Sequence, residues 1–422
     1  MTAITAEASA RAKLAWVVIP LLGLAIFINY VDRGNLATAG PLIKDELHLN
    51  GKQFGLLISA FSWTYVLAMP LAGWLSERIG GYWTMAVGLA IWGLATLMTG
   101  YAGGFAAILL FRLALGIGET AAFPCSSKLI AEHVPQHRLG LANGVMSMGL
   151  ALGPAFGVFF GGHLMGQFGW RQVFILFGAI SLLWLVPWIA TTWKPSSTYR
   201  AARKTAEPDL PFMSILKRKD FWGLTLGHFA GNYGFYFVIS WLPLYLVKAR
   251  GFTMGEMANI GGFIYLAYAA AAAGGALFTD WWIGSGAAHG KARKTIATLS
   301  QTIGATGLMM TALGGPKISL VGLFVAAIGL GLVSPHIFAS AQRMAGRRGI
   351  GRWMGLQNCF GNLSGIVGPL VTGAIIDSTG AYTWAFILTA AIVLVGLIGW
   401  LLMIPKVEPI DWTGSEEEYL SL

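Results

Sequence analysis

Charge is what this 422-residue chain has least of. Asp, Glu, Lys and Arg together make up 11% of it, where a soluble domain carries about 25%. Such a deficit excludes a water-facing surface over most of the chain. Cysteine is almost missing too: only Cys125 and Cys359 occur, both within apolar runs. Two such residues give no disulfide framework, no metal spacing and no redox chemistry, and they read as packing positions. Also missing are a nucleophile beside its base, a metal-ligand cluster and a glycine-rich phosphate loop between a strand and a helix. The sequence therefore points away from an enzyme and implies no cofactor and no metal. A sensor would usually add a soluble domain, and beyond the last apolar run there is only a tail, 405–422, carrying Glu416-Glu417-Glu418 and expected to be solvated.

What is abundant is apolar surface. Hydrophobic residues make up 56% of the chain, with 57 glycines and 17 tryptophans, and the mean hydropathy is +0.66. A helix needs about 20 predominantly apolar residues to cross a bilayer. Hydropathy gives about twelve such spans, near 16–39, 54–75, 83–101, 105–130, 139–164, 173–193, 221–246, 257–283, 296–313, 320–342, 353–376 and 382–404. The expected fold class is an all-α integral membrane protein with twelve transmembrane helices. The first span is too long and too polar at its end for a cleaved signal peptide, and no small-residue cleavage site follows it, so it is expected to stay in the mature protein. Glycines that recur inside such spans read as helix-packing positions.

The net charge of +10 would suit a nucleic acid, but its distribution follows a membrane. With the N-terminus in the cytoplasm, Lys44, Lys52, Arg171, Lys248, Arg250 and Lys317 fall on outside loops, Arg33 and Arg112 within spans, and the other 20 of the 28 Lys and Arg on cytoplasmic segments. That is the positive-inside rule. It implies a multi-pass protein of a cell (inner) membrane with both termini cytoplasmic, a lipid partner and no nucleic acid. The densest basic stretch, with Lys194, Arg200, Arg203, Lys204, Lys217, Arg218 and Lys219, reads as an orientation anchor beside anionic lipid.

That stretch lies in the one long polar interruption, and it cuts the spans six and six. The expected organisation is an N-terminal half, 1–193, a cytoplasmic linker, 194–220, a C-terminal half, 221–404, and the tail. The halves read as repeats. Gly153-Pro154 recurs as Gly368-Pro369, each followed by an aromatic restart, Trp170 to Leu176 (WRQVFIL) and Trp384 to Leu388 (WAFIL). Gly73-Trp-Leu-Ser-Glu77-Arg78 after span 2 corresponds to Gly275-Ala-Leu-Phe-Thr-Asp280 after span 8. Two parallel six-span repeats around a midplane site is a transporter plan, here one expected to work as a monomer.

Four ionisable residues sit at membrane depth in the first 120 residues: Asp32 and Arg33 in span 1, Arg112 and Glu119 in span 4. A charge at the centre of a span costs roughly 2.5 to 3.5 kcal/mol on insertion scales, and such groups mark a substrate or ion pathway by default. Arg112 and Glu119 are seven residues apart, two turns on one helix face, about 10.5 Å along the axis, so each is expected to find its partner on span 1. The four charges sum to zero when all are ionised. Protonating Asp32 or Glu119 leaves one positive charge uncompensated, and a carboxylate substrate would cancel it. Arginine suits that capture because its planar fork donates two parallel hydrogen bonds. Arg33 is the first candidate, and the alternative is that Arg33 or Arg112 only neutralises a buried carboxylate to hold two helices together.

Named motifs support the same reading. GWLSERIGG is similar to the loop signature of the major facilitator superfamily, although Glu77 replaces the usual Asp and Gly81-Tyr82 replaces the basic pair expected after Gly80. Asn29-Tyr30-Val31-Asp32-Arg33, with Arg112 through Gly116, Gly118-Glu119 and Phe123-Pro124, resembles the anion:cation symporter family. Trp241 to Val247 (WLPLYLV), Gln357-Asn358 and Gly361 to Val367 (GNLSGIV) point the same way. The resemblance implies proton-coupled symport of an organic anion, most simply a sugar acid (hexonate, hexarate or hexuronate), by rocking of the halves about a central cavity. It further implies proton coupling by the residues at Asp32 and Glu119, substrate engagement by Arg33, substrate contacts from Tyr30 and Tyr65, and a polar substrate ligand at Asn358. Asp32 is either a second proton site or the partner that keeps Arg33 in check.

Other polar groups suit a hydroxylated substrate: Asn232, Tyr233, Ser334, His336 and Gln357. For Tyr65, Asn232 and Tyr233 the alternative is ordinary interhelical hydrogen bonding. Gln357 and Asn358 lie about 100° apart on a helix and do not face one cavity equally. Of the span histidines, His163 and His228 read as satisfied interhelical contacts, while His336 follows Ser334-Pro335, where a broken helix would free backbone groups at a cavity. Gly73, Glu77, Arg78, Gly275 and Asp280 are the candidate conformational motif. In span 5 Met146 and Met148 stand where hexonate-type relatives would carry glutamine, which keeps an aromatic acid open as an alternative substrate. Gly149 through Gly157 partly resembles the signature of drug:proton antiporters, an efflux alternative that the recurrence at Gly368-Pro369 weighs against in favour of packing.

Overall fold

The protein is described by a computed structural model covering residues 2–133, 139–192 and 212–412. Every regular element in these residues is helical: α1 (Thr2–Thr38), α2 (Gly40–Glu46), α3 (Gly51–Arg78), α4 (Gly81–Thr99), α5 (Phe105–Glu119), α6 (Ala122–His133), α7 (Leu139–Phe156), α8 (Gly162–Phe168), α9 (Trp170–Leu183), α10 (Leu185–Thr192), α11 (Phe212–Leu216), α12 (Lys219–Leu244), α13 (Met254–Gly284), α14 (His289–Leu313), α15 (Pro316–Asn362), α16 (Ser364–Thr379) and α17 (Thr383–Ile398). Three of them continue into single π-helical turns, at Gly157–Gly161, Tyr245–Ala249 and Gly399–Met403. Much of the linker and most of the tail, including Glu416 to Glu418, lie outside the described residues, as does the side chain of Glu77.

Among the described residues, ten helical segments are long and apolar enough to cross a membrane, including Val17–Thr38, Phe105–Ile130 and Thr383–Met403. The expected spans near 54–75 and 221–246 are not among the ten. Their helices, α3 and α12, have the length at 28 and 26 residues, and in α12 Thr225, His228, Asn232 and Tyr233 dilute the apolar residues. Large apolar side chains face outward, Leu67 at 80% and Leu277 at 72% exposure, a polarity suited to hydrocarbon surroundings.

The chain packs as two units. The first comprises Met1–Ser197, Ile239–Leu266 and Pro369–Ser378, the second Thr198–Val238, Ala267–Gly368 and Thr379–Leu422. In the first, α1 lies on α7, α3 on α5, and α4 on α5 and α9. A Cβ on Gly149 would stand 2.6 Å from the Gly23 carbonyl oxygen, and one on Gly153 2.6 Å from Tyr30 Cβ and 2.8 Å from the Phe27 oxygen. The glycines that resemble an antiporter signature thus set the approach of α7 to α1, where backbones need small residues to close up. Met146 is buried in the same core, and Met148 is 61% exposed. In the second unit, α14 packs on α15 and α17, and Trp353, Trp400 and Trp412 anchor a buried cluster.

Two helix boundaries differ from expectation. Span 4 is interrupted after Glu119: Pro124 has no N–H, and its ring would clash with the carbonyl four residues back, at Thr120. The chain closes there through a tighter contact, Ala121 N–H to the Gly118 oxygen at 3.3 Å. Conversely, α15 does not break at Ser334-Pro335; it runs through Pro335 to Asn362, and the interruption falls at Leu363.

Candidate functional site

In the first unit, the charged residues of α1 and α5 meet at the interrupted end of α5. Arg33 donates to one oxygen of Glu119 twice, Nε at 3.1 Å and Nη2 at 2.9 Å. Arg33 is 8% exposed and Glu119 fully buried. Nη2 also donates to Asn29 Oδ1 at 3.3 Å. Three rings surround the guanidinium, with Tyr30, Phe61 and Tyr65 centroids at 4.6, 4.8 and 4.8 Å. Each such contact contributes about 0.5 to 2 kcal/mol, the more the drier the site. The other carboxylate oxygen, Glu119 Oε1, is buried with no direct hydrogen bond among the described residues, and the Asn29 side chain lies within hydrogen-bonding influence of the Glu119 carboxylate.

Arg112 does not find its partner on span 1. Its Nε reaches the Leu57 carbonyl of α3 at 3.4 Å, near the limit for a hydrogen bond, and its guanidinium lies 5.2 Å from the Phe61 centroid. The reason is depth along the helix axis. Arg112 and Glu119 share a face of α5 two turns apart, and only the C-terminal position meets Arg33. Phe61 stands against both guanidinium groups, and no described carboxylate forms an ion pair with Arg112.

Asp32 turns away from this cluster. Ser181 of α9 donates its hydroxyl to Oδ2 at 2.8 Å, and Asn35 donates Nδ2 to Oδ1 at 3.3 Å. No hydrogen bond or ion pair joins Asp32 to Arg33 among the described residues, because adjacent helical residues point about 100° apart. Asp32 is therefore not what keeps Arg33 in check; Glu119 is.

The remaining candidates belong to the second unit, in two places. Asn232 Nδ2 lies 3.2 Å from His228 Nε2, and His228 Nδ1 lies 3.4 Å from Gln357 Nε2. The Trp353 indole donates to Gln357 Oε1 at 2.7 Å. Beside them, the Asn358 carbonyl accepts from Asn362 at 2.8 Å, and Tyr236 donates to Asn362 Oδ1 at 2.7 Å. Tyr233 is buried, its ring 3.6 Å from where a Cβ on Gly368 would stand. Ser334 lies beside the Tyr268 hydroxyl. His336 is elsewhere: its Nε2 meets Thr279 Oγ1 of α13 at 3.4 Å, within electrostatic reach of Asp280 and Arg293. It accompanies the candidate conformational motif rather than Gln357 and Asn358. In that motif, a Cβ on Gly275 would come 2.7 Å from Leu332, while Gly73 has open space around it, and Arg78 lies over Trp74 at 4.9 Å.

An apolar cavity of about 410 Å³, lined by Phe27, Phe156, Phe159, Phe160, Phe263 and Leu266 among others, holds no charged side chain. It offers a carboxylate no donor.

The sequence pattern of the Major Facilitator Superfamily matches residues 22–367. The chain belongs to that superfamily. It is accordingly a membrane transport protein and not an enzyme. Among curated relatives of this facilitator, a hexuronate transporter of Bacillus subtilis is 30% identical over 388 residues, 89% of this chain and 91% of that one. A probable sulfoacetate transporter of Cupriavidus necator is 28% identical, covering 94% of this chain and 95% of that one. The crystal structure of a bacterial homologue of the human lysosomal transporter Spinster, inward-facing and unoccupied, superposes with a TM-score of 0.77 at 20% identity, over 93% of this chain and 97% of that one. At that identity the likeness concerns the fold alone.

Sequence reasoning missed Phe61, Asn29 and Ser181 around the charges, and Trp353 behind Gln357. Phe61 precedes Tyr65 by four residues, and Trp353 precedes Gln357 by four, a spacing that puts each pair on one helix face. Nothing local to Ser181 marks it as the partner of Asp32.

Proposed function

We propose that this facilitator carries a small organic anion inward together with a proton, by alternating access of two six-helix halves, 1–193 and 221–404, through twelve membrane crossings. Linker 194–220 and tail 405–422 lie on the cytoplasmic side of the inner membrane, and the protein works as a monomer. A sugar acid such as a hexuronate, hexonate or hexarate is the substrate. The relative named as a hexuronate transporter supports that class, and the one named for sulfoacetate supports an anion more generally.

The observation that carries the reading is the Arg33–Glu119 pair, with one Glu119 oxygen holding two arginine N–H groups and the other no direct hydrogen bond among the described residues. A proton has a place to go on Oε1. Once neutral, Glu119 releases its electrostatic hold on Arg33, and the two guanidinium groups of Arg33 and Arg112 carry charge that a carboxylate cancels. Burial favours the uncharged acid and the neighbouring arginines the ionised one, so loading the substrate and loading the proton each favour the other. Tyr30, Phe61 and Tyr65 hold the Arg33 fork in place. Asn232 and Asn358 supply hydrogen bonds to the substrate's hydroxyl groups, and Gln357, buried with its amide turned to Trp353 and His228, supports them from behind.

Thermal unfolding of the purified protein with D-glucuronate, D-galactonate, D-glucarate, sulfoacetate and benzoate tests the substrate class. A ligand at 100 times its Kd stabilises by about 2.7 kcal/mol. Stabilisation by a sugar acid is the expected outcome; stabilisation by benzoate or sulfoacetate alone would replace sugar acids as the substrate.

A further inference from the structure

We infer that His228 is a neutral positioning residue whose ring turns the Asn232 amide so that its NH2 group is presented to the substrate as a hydrogen-bond donor. The inference rests on the reading of Asn232 as a substrate contact.

The chain of reasoning starts at Trp353, whose indole nitrogen only donates. The Gln357 atom 2.7 Å from it is therefore the amide oxygen. That fixes Gln357 Nε2 toward His228 Nδ1, 3.4 Å away, so Nδ1 carries a lone pair and no hydrogen. A neutral imidazole has one N–H, which must then be on Nε2. Nε2 faces the Asn232 side-chain amide at 3.2 Å, and an N–H there requires an oxygen opposite. Amide oxygen and nitrogen have the same shape and are assigned from their partners. Asn232 therefore turns its oxygen to His228 and its NH2 away from it. The turn replaces a 3.5 Å approach of the NH2 to the Gly361 carbonyl, at the outer limit of a hydrogen bond, with the amide oxygen at that distance, a weak contact set against the direct bond gained from His228.

The surroundings hold the ring in this role. His228 is 3% exposed, and Phe338 stands edge-on to it at 5.6 Å. A Cβ at Gly361 would come within 2.7 to 3.0 Å of three ring atoms, so glycine is needed for the ring to fit. Protonation would set a second N–H against the Gln357 NH2. Relief would require Gln357 to rotate, which sets its NH2 against the Trp353 N–H. No charged side chain among the described residues acts on the ring to offset this. The four residues thus form a one-directional relay, Trp353 to Gln357 to His228 to Asn232, with donors all pointing toward Asn232. Asn232 itself is half-buried, so its outward NH2 remains accessible. Hydroxyl, ring or carboxylate oxygens of a sugar acid satisfy that donor, and an apolar ring does not.

The test uses the whole protein in lipid nanodiscs labelled with ¹⁵N-histidine, the His228 resonances being assigned by their loss in His228→Gln. The expected result is an Nε2–H imidazole that does not titrate between about pH 8 and about pH 5, where histidines ordinarily do. Trp353→Phe, which frees Gln357, should let His228 change tautomer or begin to titrate; a ring that is merely packed would not respond. An Nδ1–H tautomer or titration in the wild type overturns the inference. In a parallel binding measurement with D-glucuronate, Asn232→Leu should weaken affinity about tenfold, the scale of one lost hydrogen bond. Unchanged affinity overturns the donor role while leaving the carboxylate site standing. Absence of any D-glucuronate binding by the wild type speaks against the substrate class, and the NMR result still decides the tautomer.

Discussion

Replacing Glu119 with Gln imitates its protonated state, and the structure sets the size of the effect. In the wild type, two Arg33 N–H groups are committed to one Glu119 oxygen, at 3.1 and 2.9 Å. A substrate carboxylate that takes Arg33 must compete with that contact. Gln retains shape and an acceptor but removes the charge, which is the difference of about one charge-assisted hydrogen bond, 1.5 to 3 kcal/mol. Carboxylate affinity of Glu119→Gln should therefore rise by about 10- to 150-fold. The sign with pH follows: wild-type affinity falls as pH rises and Glu119 ionises, whereas the variant's affinity stays flat. Without ligand the variant should unfold at lower temperature, because Arg33 is left without its counter-charge; breaking a buried pair outright costs about 3 to 5 kcal/mol. Titration calorimetry with D-glucuronate across pH measures the affinities. In proteoliposomes the variant should exchange substrate but not accumulate it against a pH gradient. Affinity equal to the wild type, or a preserved pH slope, would refute the competition between Glu119 and substrate for Arg33.

Three further outcomes follow from particular contacts. Ser181→Ala removes the 2.8 Å donor to buried Asp32 and should destabilise by about 1.5 to 3 kcal/mol; if Asp32→Asn in that background restores nothing, the two residues are not coupled as described. Gly153→Ala places a methyl 2.6 Å from Tyr30 Cβ and should cost about 1 to 3 kcal/mol, read by thermal unfolding, while an unchanged midpoint would mean α1 and α7 are not closely packed. Asp377 accepts from the Gly51 and Lys52 N–H groups at 2.6 and 2.7 Å, capping α3. Asp377→Ala should lose about 0.5 to 2 kcal/mol, and Asp377→Asn less; equal losses in both would show that the cap is not the cause.

Much of the fold is legible because membrane spans announce themselves by length and apolarity. Where the reading and the structure differ, a competing local effect decides. The polar residues that give α12 its chemistry also lower its hydropathy below that of the other spans. The interruption at Thr120 was marked by Pro124, whose steric effect falls four residues upstream. Pro335, carrying the same signal, leaves α15 continuous, since neighbours within a bundle can satisfy the freed backbone. Among the charges, sequence brought Arg33 and Glu119 to one depth, but Arg112, two turns away along the same face of α5, reaches the Leu57 carbonyl, and Asp32, about 100° round α1 from Arg33, turns to Ser181. His228 read as an ordinary histidine contact, and its i, i+4 relation to Asn232 is visible in the numbering once Gln357 and Trp353 are seen to fall on its other side.

Proton coupling to anion entry through Glu119 is tested most directly by adding D-glucuronate or D-galactonate to proteoliposomes in weakly buffered medium and recording external pH. Symport predicts alkalinisation with the wild type and none with Glu119→Gln. Acidification, or uptake of the same anion with no change in pH, would contradict it.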